Sequence, residues 1–569
     1  MSSKVLGGNL MQEKPWWQDA IVYQIYPRSF MDSNNDGVGD LQGIIQKLDY
    51  LADLGINTIW LCPVFQSPMA DNGYDISNYK EIHHEFGTLP DLEMLIKKAN
   101  QKGIKILLDL VLNHSSDKHP WFQAALADPA SPYRDYYIIR KGRNGNPPNN
   151  WRSHFGGSAW QKLPNSNDEY YLHLFGVEQP DFNWENPDLR EALFEMIIWW
   201  IKKGIAGFRI DAISLIKKNQ AFPNLKPEDS DGLASPLSQC LNYPGIEDFL
   251  GEMRDKVFAP NKMYTVAEAN GIPEDKLEDF IGKNGFFTNV FDFSYIDIDI
   301  KSEFWFDRNY FSCEDLKKTI YKSQEKICQI GYGAPYLENH DQNRSPNKYL
   351  NNSDICYESI TMLGMMYFFL QGIPYIYQGQ EIGMTNYPWE NMDQFNDVAA
   401  KDQYKKGIEA GLTNEDAFAR VAWRARDNSR TPMLWDDTAN AGFSKFKPWL
   451  PVHPDYIKTN VKFQQSPDCE KSVLNFYKQI IKTRKVYSPF FFQADFQPEF
   501  IDSKDLIAYY RQQGERKFLI ICNFSSLDQK LDLPKATVVL SNYKRSEEII
   551  TDKEGTIIKP FEGILLELS

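Results

Sequence analysis

Eight short runs of apolar and β-branched residues constrain this chain more than any other feature. Each closes in polar residues, and helix-length stretches separate them. They are AIVYQIY (20–26), NTIWLCP (57–63), GIKILLDLVLNH (103–114), GIAGFRIDA (204–212), MYTVAEAN (263–270), FTNVFDF (287–293), GAPYLENHD (333–341) and GIPYIYQGQE (372–381). Helical patterns fall between them, at 41–54, 91–102, 187–203 and 353–370. Parallel strands buried on both faces read as near-continuous hydrophobic runs, so eight of them alternating with helices predict a closed (β/α)8 TIM barrel of the α/β class. The chemistry of such a barrel lies at the C-terminal ends of its strands. Asp109, Asn113, His114, Arg209, Asp211, Glu268, His340 and Asp341 fall there.

Two stretches break the alternation. Residues 115–180 are turn-rich and aromatic, with GRNGNPPNNW and FGGSAW. A structureless connection of that length is rare, which predicts a small inserted (B) domain after strand three. Residues 380–460, rich in Trp, Asn and Asp, form a second insertion after strand eight. From about Phe490 helical pattern gives way to alternating runs (LIAYYR, KFLIICNF, ATVVLSNY, GILLELS), the pattern of an antiparallel β-sandwich. The expected organisation is a barrel over 14–114 and 181–489, an inserted domain over 115–180 and a C-terminal β domain over 490–569.

A formal charge of −15 with no long basic run argues against nucleic acid and anionic membrane surfaces as partners, and for a small neutral substrate. The longest apolar stretch, 361–370, is too short to span a bilayer and reads as a buried helix. The N-terminus has no apolar segment of signal-peptide length; its first ten residues read as an added leader, or Met11 as an alternative start. Seven scattered cysteines without CxxC spacing fit neither a disulfide framework nor a zinc site. A cytoplasmic protein with reduced core thiols is expected, as a monomer or homodimer. The aromatic content, 14%, has two readings, a large core or a cleft whose flat rings pack on pyranose faces.

Asp211 and Glu268 close the fourth and fifth runs, which are neighbours in a barrel. Adjacent strands lie about 5 Å apart, so two facing carboxyl groups there approach the roughly 5–5.5 Å separation of a retaining glycosidase. One carboxylate attacks the anomeric carbon. The other protonates the departing oxygen and then activates water. An acid buried beside another carboxylate has its pKa raised, which suits it to give a proton near neutrality.

In this order, DLVLNH (109–114), QPDFNW (179–184), GFRIDA (207–212), VAEAN (266–270) and ENHD (338–341) resemble the α-amylase superfamily, glycoside hydrolase family 13, over essentially the whole chain. The resemblance implies Asp211 as nucleophile, Glu268 as general acid/base, and Asp341 as the carboxylate holding the sugar's 2- and 3-hydroxyls. It implies that His114 and His340 bond hydroxyls of the same glucose, and that Arg209 keeps Asp211 ionised. In DNGYD (71–75), Asp71 would take the 4- and 6-hydroxyls and Tyr74 would stack on the ring, closing the pocket so that single glucose units are cut from chain ends. Phe155, Phe175 and Gln179 match further pocket positions. In RARDNSRTPM (424–433), Arg426 matches the partner of Asp71 and substrate, and Arg430 a structural cation.

QPDFNW and the insertion ending in NSRTPMLW resemble the oligo-1,6-glucosidase and α-glucosidase branch. There the residue after the nucleophile tracks linkage, Val in α-1,6 and Ala or Thr in α-1,4 enzymes; here it is Ala212. Ala267 and Glu338 depart from the usual Gly and Asn. The run DSNNDGVGD (32–40) offers hard oxygens at Asp32, Asn34, Asp36, Val38 (carbonyl) and Asp40, a Ca²⁺-type loop without the glutamate of a full EF-hand. A plain turn is the alternative, but the branch carries a very similar loop, which implies a structural Ca²⁺; no cofactor for catalysis is expected. Trehalose-6-phosphate hydrolases and sucrose isomerases share the framework. Phosphate-binding cations are not evident, and QNRSPNK (342–348) matches the isomerases' Arg-rich loop poorly. The non-catalytic transporter heavy subunits of the family lack the carboxylates and carry an anchor, the reverse of this chain.

Overall fold

The computed structural model describes residues 15–569 apart from 165, 229, 303, 546–547 and 550–554. The leader or second start expected at Met11, and the first residue of the expected barrel, lie outside the described residues. The eight expected strands form one parallel sheet: Val22–Ile25 (β1), Thr58–Leu61 (β2), Lys105–Val111 (β3), Gly207–Asp211 (β4), Tyr264–Ala267 (β5), Asn289–Phe291 (β6), Gly333–Ala334 (β7) and Tyr375–Tyr377 (β8). Strands pair in chain order from β1 to β7, and β8 pairs with β1. The amides of Ile373 and Tyr375 reach the carbonyls of Gly333 (3.0 Å) and Pro335 (2.9 Å), closing the ring between β7 and β8. Apart from Lys105 every strand residue is buried, as sheets covered on both faces require.

The helices begin where local chemistry allows. Asn186 accepts from the Asp188 amide (2.8 Å), Pro187 takes the first helical position, and the helix runs Pro187–Lys202. The helix expected over 41–54 is two, Leu41–Gln46 and Leu48–Leu54. The Lys47 amide donates to both Ile44 and Ile45, a tightened turn that breaks the run, and Lys47 Nζ sits 4.0 Å over the Trp435 ring. The apolar stretch read as a buried helix is Tyr357–Phe368, buried along nearly its whole length. Two buried arginines finish it. Arg484 donates to the carbonyls of Phe368, Leu370 and Gly372, and Arg511, from the C-terminal sheet, donates to Phe369 O and Gln371 Oε1. No described helix is long and apolar enough to cross a membrane.

Within 115–180 lie a helix, Pro120–Ala127, and a three-stranded antiparallel sheet of Ile139–Lys141, Trp160–Lys162 and Glu169–Leu172. Its neck is pinned by bonds from Ser115 N to Pro180 O and from Phe182 N to Asn113 O, which bring Gln179 back beside His114. The second insertion holds helices Val398–Glu409 and Asn414–Arg424 around Trp389, Phe395 and Leu450. From Asp495 the described chain forms a six-stranded antiparallel sheet and a two-stranded one.

Candidate active site

The strand register assembles the centre. Asp109 on β3 lies opposite Arg209 on β4, and Ile210 pairs with Ala267 on β5. Side chains two apart on a strand share a face, so Arg209 and Asp211 point together. The Glu268 amide extends the ladder to Ile210 O (2.9 Å) and carries its side chain to the same place. Arg209, 1% exposed, is the hub. Its Nη1 donates to Asp211 Oδ1 (2.6 Å) and Asp109 Oδ1 (2.8 Å), and its Nη2 donates to Glu268 Oε2 (2.6 Å). Asp211 and Glu268 thus lie within the span of one guanidinium. Burial pushes the Asp211 carboxyl well above its usual range, Arg209 opposes this, and the Glu268 and Asp109 carboxylates add to it.

Ala212 turns sharply out of β4 with φ +43°, a left-handed conformation rare for a residue with a side chain. The turn aims the Ala212 amide at Glu268 Oε2 (3.1 Å). Backbone strain of this kind gathers at functional sites.

These groups floor a cavity of about 330 Å³. Of the expected residues Asp71, Tyr74, His114, Phe155, Phe175, Asp211, Ala212, Glu268, Asp341 and Arg426 line it, joined by Asn270, the last residue of VAEAN, and by His154, Ser214, Leu215, Leu237 and Leu241, which carry no motif. Arg209, Gln179 and His340 stand just behind the wall. Gln179 Nε2 meets Asp71 Oδ2 (3.1 Å) and His114 Nε2 (3.0 Å).

His340 differs from the expectation of a sugar-binding imidazole. It is fully buried, with a pKa pushed down to about 3 by burial, and is therefore neutral. Gln24 Nε2 donates to Nδ1 (2.8 Å), which leaves the proton on Nε2, facing Tyr74 Oη (2.6 Å) and Asp341 Oδ2 (3.0 Å). Both nitrogens are engaged by protein. Tyr74, expected to stack on the sugar, stacks one face on this imidazole (5.5 Å, 8°) and donates to Asp109 Oδ2 (3.0 Å).

Although burial pushes the Asp341 carboxyl up, the Nε2–H of His340 beside it and the guanidinium charges of Arg430 and Arg426 hold it well below the usual carboxylate range. Arg430, read as structural, is the nearer of the two arginines: its Nη2 donates to Asp341 Oδ1 at 2.8 Å, against 3.3 Å from Arg426 Nη1. Burial raises Asp71 to about 6, opposed by Arg426, whose Nη2 lies 3.7 Å away. Sequence reading missed Gln24 and Asp397. The visible property of Asp397 is that it caps a helix, and nothing local ties it to Arg426. Glu338 and Ala267, the departures from pattern, lie off the pocket, Glu338 against Arg344 and Ser345.

The loop 32–40 lies away from this wall. It supplies hard oxygens, the right chemistry for Ca²⁺. Asp32 Oδ1 accepts from the amides of Asn34 and Asn35, Asp36 Oδ1 from Val38 N, and Asp40 from Ser33 and Gly43, capping the first helix. Among the described residues no three His, Cys, Asp or Glu side chains converge as a metal-binding group.

Residues 24–491 match the alpha-amylase catalytic domain. The chain belongs to the alpha-amylase family of glycoside hydrolases. An oligo-1,6-glucosidase of Parageobacillus thermoglucosidasius is 40% identical over 95% of both chains. Among solved structures, the trehalose-6-phosphate hydrolase of Bacillus licheniformis superposes with TM-score 0.89 at 37% identity (98% of this chain, 100% of that one), and an isomaltulose synthase from a Klebsiella strain with TM-score 0.91 at 35% (98% and 100%).

Proposed function

We propose that this chain is an exo-acting, retaining α-glucosidase that releases glucose from the non-reducing end of short α-glucosides. Maltose-type α-1,4 bonds are its main substrates, with isomaltose and sucrose also accepted. The observation that carries the reading is Arg209 clasping Asp211 and Glu268 at the floor of a pocket whose wall includes Asp71 and Arg426. Asp211 attacks the anomeric carbon. Glu268 protonates the leaving oxygen and then deprotonates water for the second displacement. Asp341 and Asp71 accept from hydroxyls of the bound glucose, His114 bonds another, and His340 donates its Nε2–H to one after exchanging a protein bond for a sugar one.

A neutral substrate is supported by the wall itself: among the described lining residues Arg426 is the one arginine or lysine, and Asp397, Asp341 and Asp71 already surround it. Arg344, the arginine of the loop compared with sucrose isomerases, is fully buried against Gln378 O and Glu338. That favours hydrolysis over isomerisation. Seven unpaired cysteines support a reducing, cytoplasmic setting, and a monomer or homodimer with no nucleic-acid or membrane partner is proposed.

The test is initial rates on maltose, isomaltose, sucrose and trehalose-6-phosphate. Ala212 borders the space of the leaving sugar beside Glu268, and a methyl leaves room for an α-1,4-linked ring. Valine adds two methyls there, while an α-1,6 bond has an extra rotatable carbon to swing its aglycone aside. Such a difference is worth about 1–3 kcal/mol, so Ala212→Val lowers the maltose-to-isomaltose ratio of kcat/KM by roughly tenfold or more. The left-handed backbone at 212 also disfavours valine, so a lower Tm accompanies the change. Fast isomaltose turnover with none of maltose, or an unchanged ratio in the variant, contradicts this assignment.

We also propose a structural Ca²⁺ held by Asp32, Asn34, Asp36, the Val38 carbonyl and Asp40. A ligand bound only by the native state at 100 times its Kd adds about 2.7 kcal/mol of stability. Ca²⁺ should raise Tm and a chelator lower it, with activity at low temperature unchanged. A Tm indifferent to both removes the ion.

A further inference from the structure

Asp397 lies in the segment after β8, 29 residues before Arg426, and does not reach the pocket wall. Its carboxylate is fully buried and grips Arg426 at four points. Oδ1 accepts from Nη2 (2.7 Å) and Nε (3.2 Å), and Oδ2 accepts from Nε (3.1 Å) and from the Arg426 backbone amide (3.3 Å). Asp427 returns the brace, accepting the amides of Asn396 (2.7 Å) and Asp397 (2.9 Å). Two carboxylates stitch the loops together, and Asp397 also caps helix Val398–Glu409 by accepting from Ala399 N (3.0 Å).

The rest of the guanidinium faces the pocket. Nη1 is 3.3 Å from Asp341 Oδ1, Nη2 is 3.7 Å from Asp71 Oδ1, and the group lies 5.5 Å over the Phe155 ring. The contacts to Asp397 are shorter and paired, the stronger geometry for an arginine and a carboxylate. Arg426 is therefore drawn back toward its own loop. A buried guanidinium that lost this partner would leave a costly unpaired charge. Its nearest relief would be to close on Asp71 and Asp341, across the space a sugar must fill.

We propose that Asp397 is a positioning residue that keeps Arg426 from closing beyond its present 3.3 Å on Asp341 and 3.7 Å on Asp71, leaving both carboxylates available to a terminal glucosyl unit. The inference rests on the glucosidase reading above. It assigns Asp397 an effect on substrate binding that acts through Arg426, beyond its cap.

The experiment is a double-mutant cycle on the full chain, with maltose kinetics and Tm for the parent, Asp397→Asn, Arg426→Ala and the double variant. Asparagine preserves the helix cap while removing the charge. Asp397→Asn should raise KM about tenfold and lower kcat/KM about thirtyfold, whereas in the Arg426→Ala background the same change should alter kcat/KM less than about threefold. If Asp397→Asn does not fold, Asp397→Glu, which keeps the charge on a longer arm, enters the same cycle with the same expectation of a raised KM. Equal effects with and without Arg426, or an unchanged KM in the single variant, overturn the proposal. Failure of the parent to turn over maltose contradicts the glucosidase reading instead, and is read before any variant is compared.

Discussion

Asp211→Asn and Glu268→Gln should each lower kcat/KM by at least about a thousandfold, roughly 4 kcal/mol of barrier, while leaving the fold intact. Asparagine fits the space of Asp211 and still accepts from Arg209, but its amide cannot form the glycosyl-enzyme. Glutamine fits the space of Glu268 but cannot lose or gain the proton that both steps need. The two variants fail differently. With a good leaving group such as p-nitrophenol the first step needs little acid help, so Glu268→Gln should form glycosyl-enzyme and release a burst of phenol. Asp211→Asn should give none. Near-normal maltose turnover in either variant refutes the assignment.

Arg209→Gln should be the most damaging change outside the reacting carboxylates. It removes the cation shared by Asp109, Asp211 and Glu268 at 2.6 to 2.8 Å. Breaking a buried ion pair by removing one partner costs about 3–5 kcal/mol. A loss of at least about a hundredfold in kcat/KM should accompany it, because a nucleophile held protonated cannot attack. The pH dependence has a definite sign. Burial raises both Asp109 and Asp211, and Arg209 opposes this, so its loss raises them further. A carboxyl whose folded pKa lies above its unfolded value favours folding fully below the unfolded value, and loses that contribution as pH rises through the folded one. The Tm deficit of the variant should therefore widen as pH rises past the parent's own, already raised, Asp109 and Asp211 carboxyl pKa values. Its acid limb of activity should move to higher pH. A deficit independent of pH, or activity within tenfold of the parent, would show that Arg209 does not govern the cluster.

What could be read in the sequence follows from how local its cause is. Barrel strands carry their burial in their own residues, so all eight runs are visible, and the polar residues at their ends follow from barrel geometry. Arg209 and Asp211 are visible as partners because two residues along a strand share a face. The break at Lys47 is not, since no proline or glycine stands there to mark the tight turn its amide makes onto Ile44 and Ile45. Asp397 reads as a helix cap because its link to Arg426 exists only once two loops of the insertion meet. Gln24 has the same problem: it sits in an unremarkable strand, yet it sets which nitrogen of His340 carries the proton. His154 reaches the pocket from a loop, and Leu237 and Leu241 from a one-turn helix and its cap, all without periodicity or motif. Arg426 and Arg430 lie four apart in one segment, and only coordinates tell which stands nearer Asp341.

Double displacement at the anomeric carbon is the core of this account, and stereochemistry tests it most directly. Hydrolysis of p-nitrophenyl α-glucoside, whose leaving group carries no second anomeric centre, followed by proton NMR at enzyme levels that finish the reaction faster than glucose mutarotates, reports the anomer first formed. A retaining pair, Asp211 attacking and Glu268 delivering water to the same face, predicts α-glucose first, with the β anomer growing in only as mutarotation proceeds. β-Glucose as the first product would mean a single inverting displacement, and would contradict the role given to Asp211.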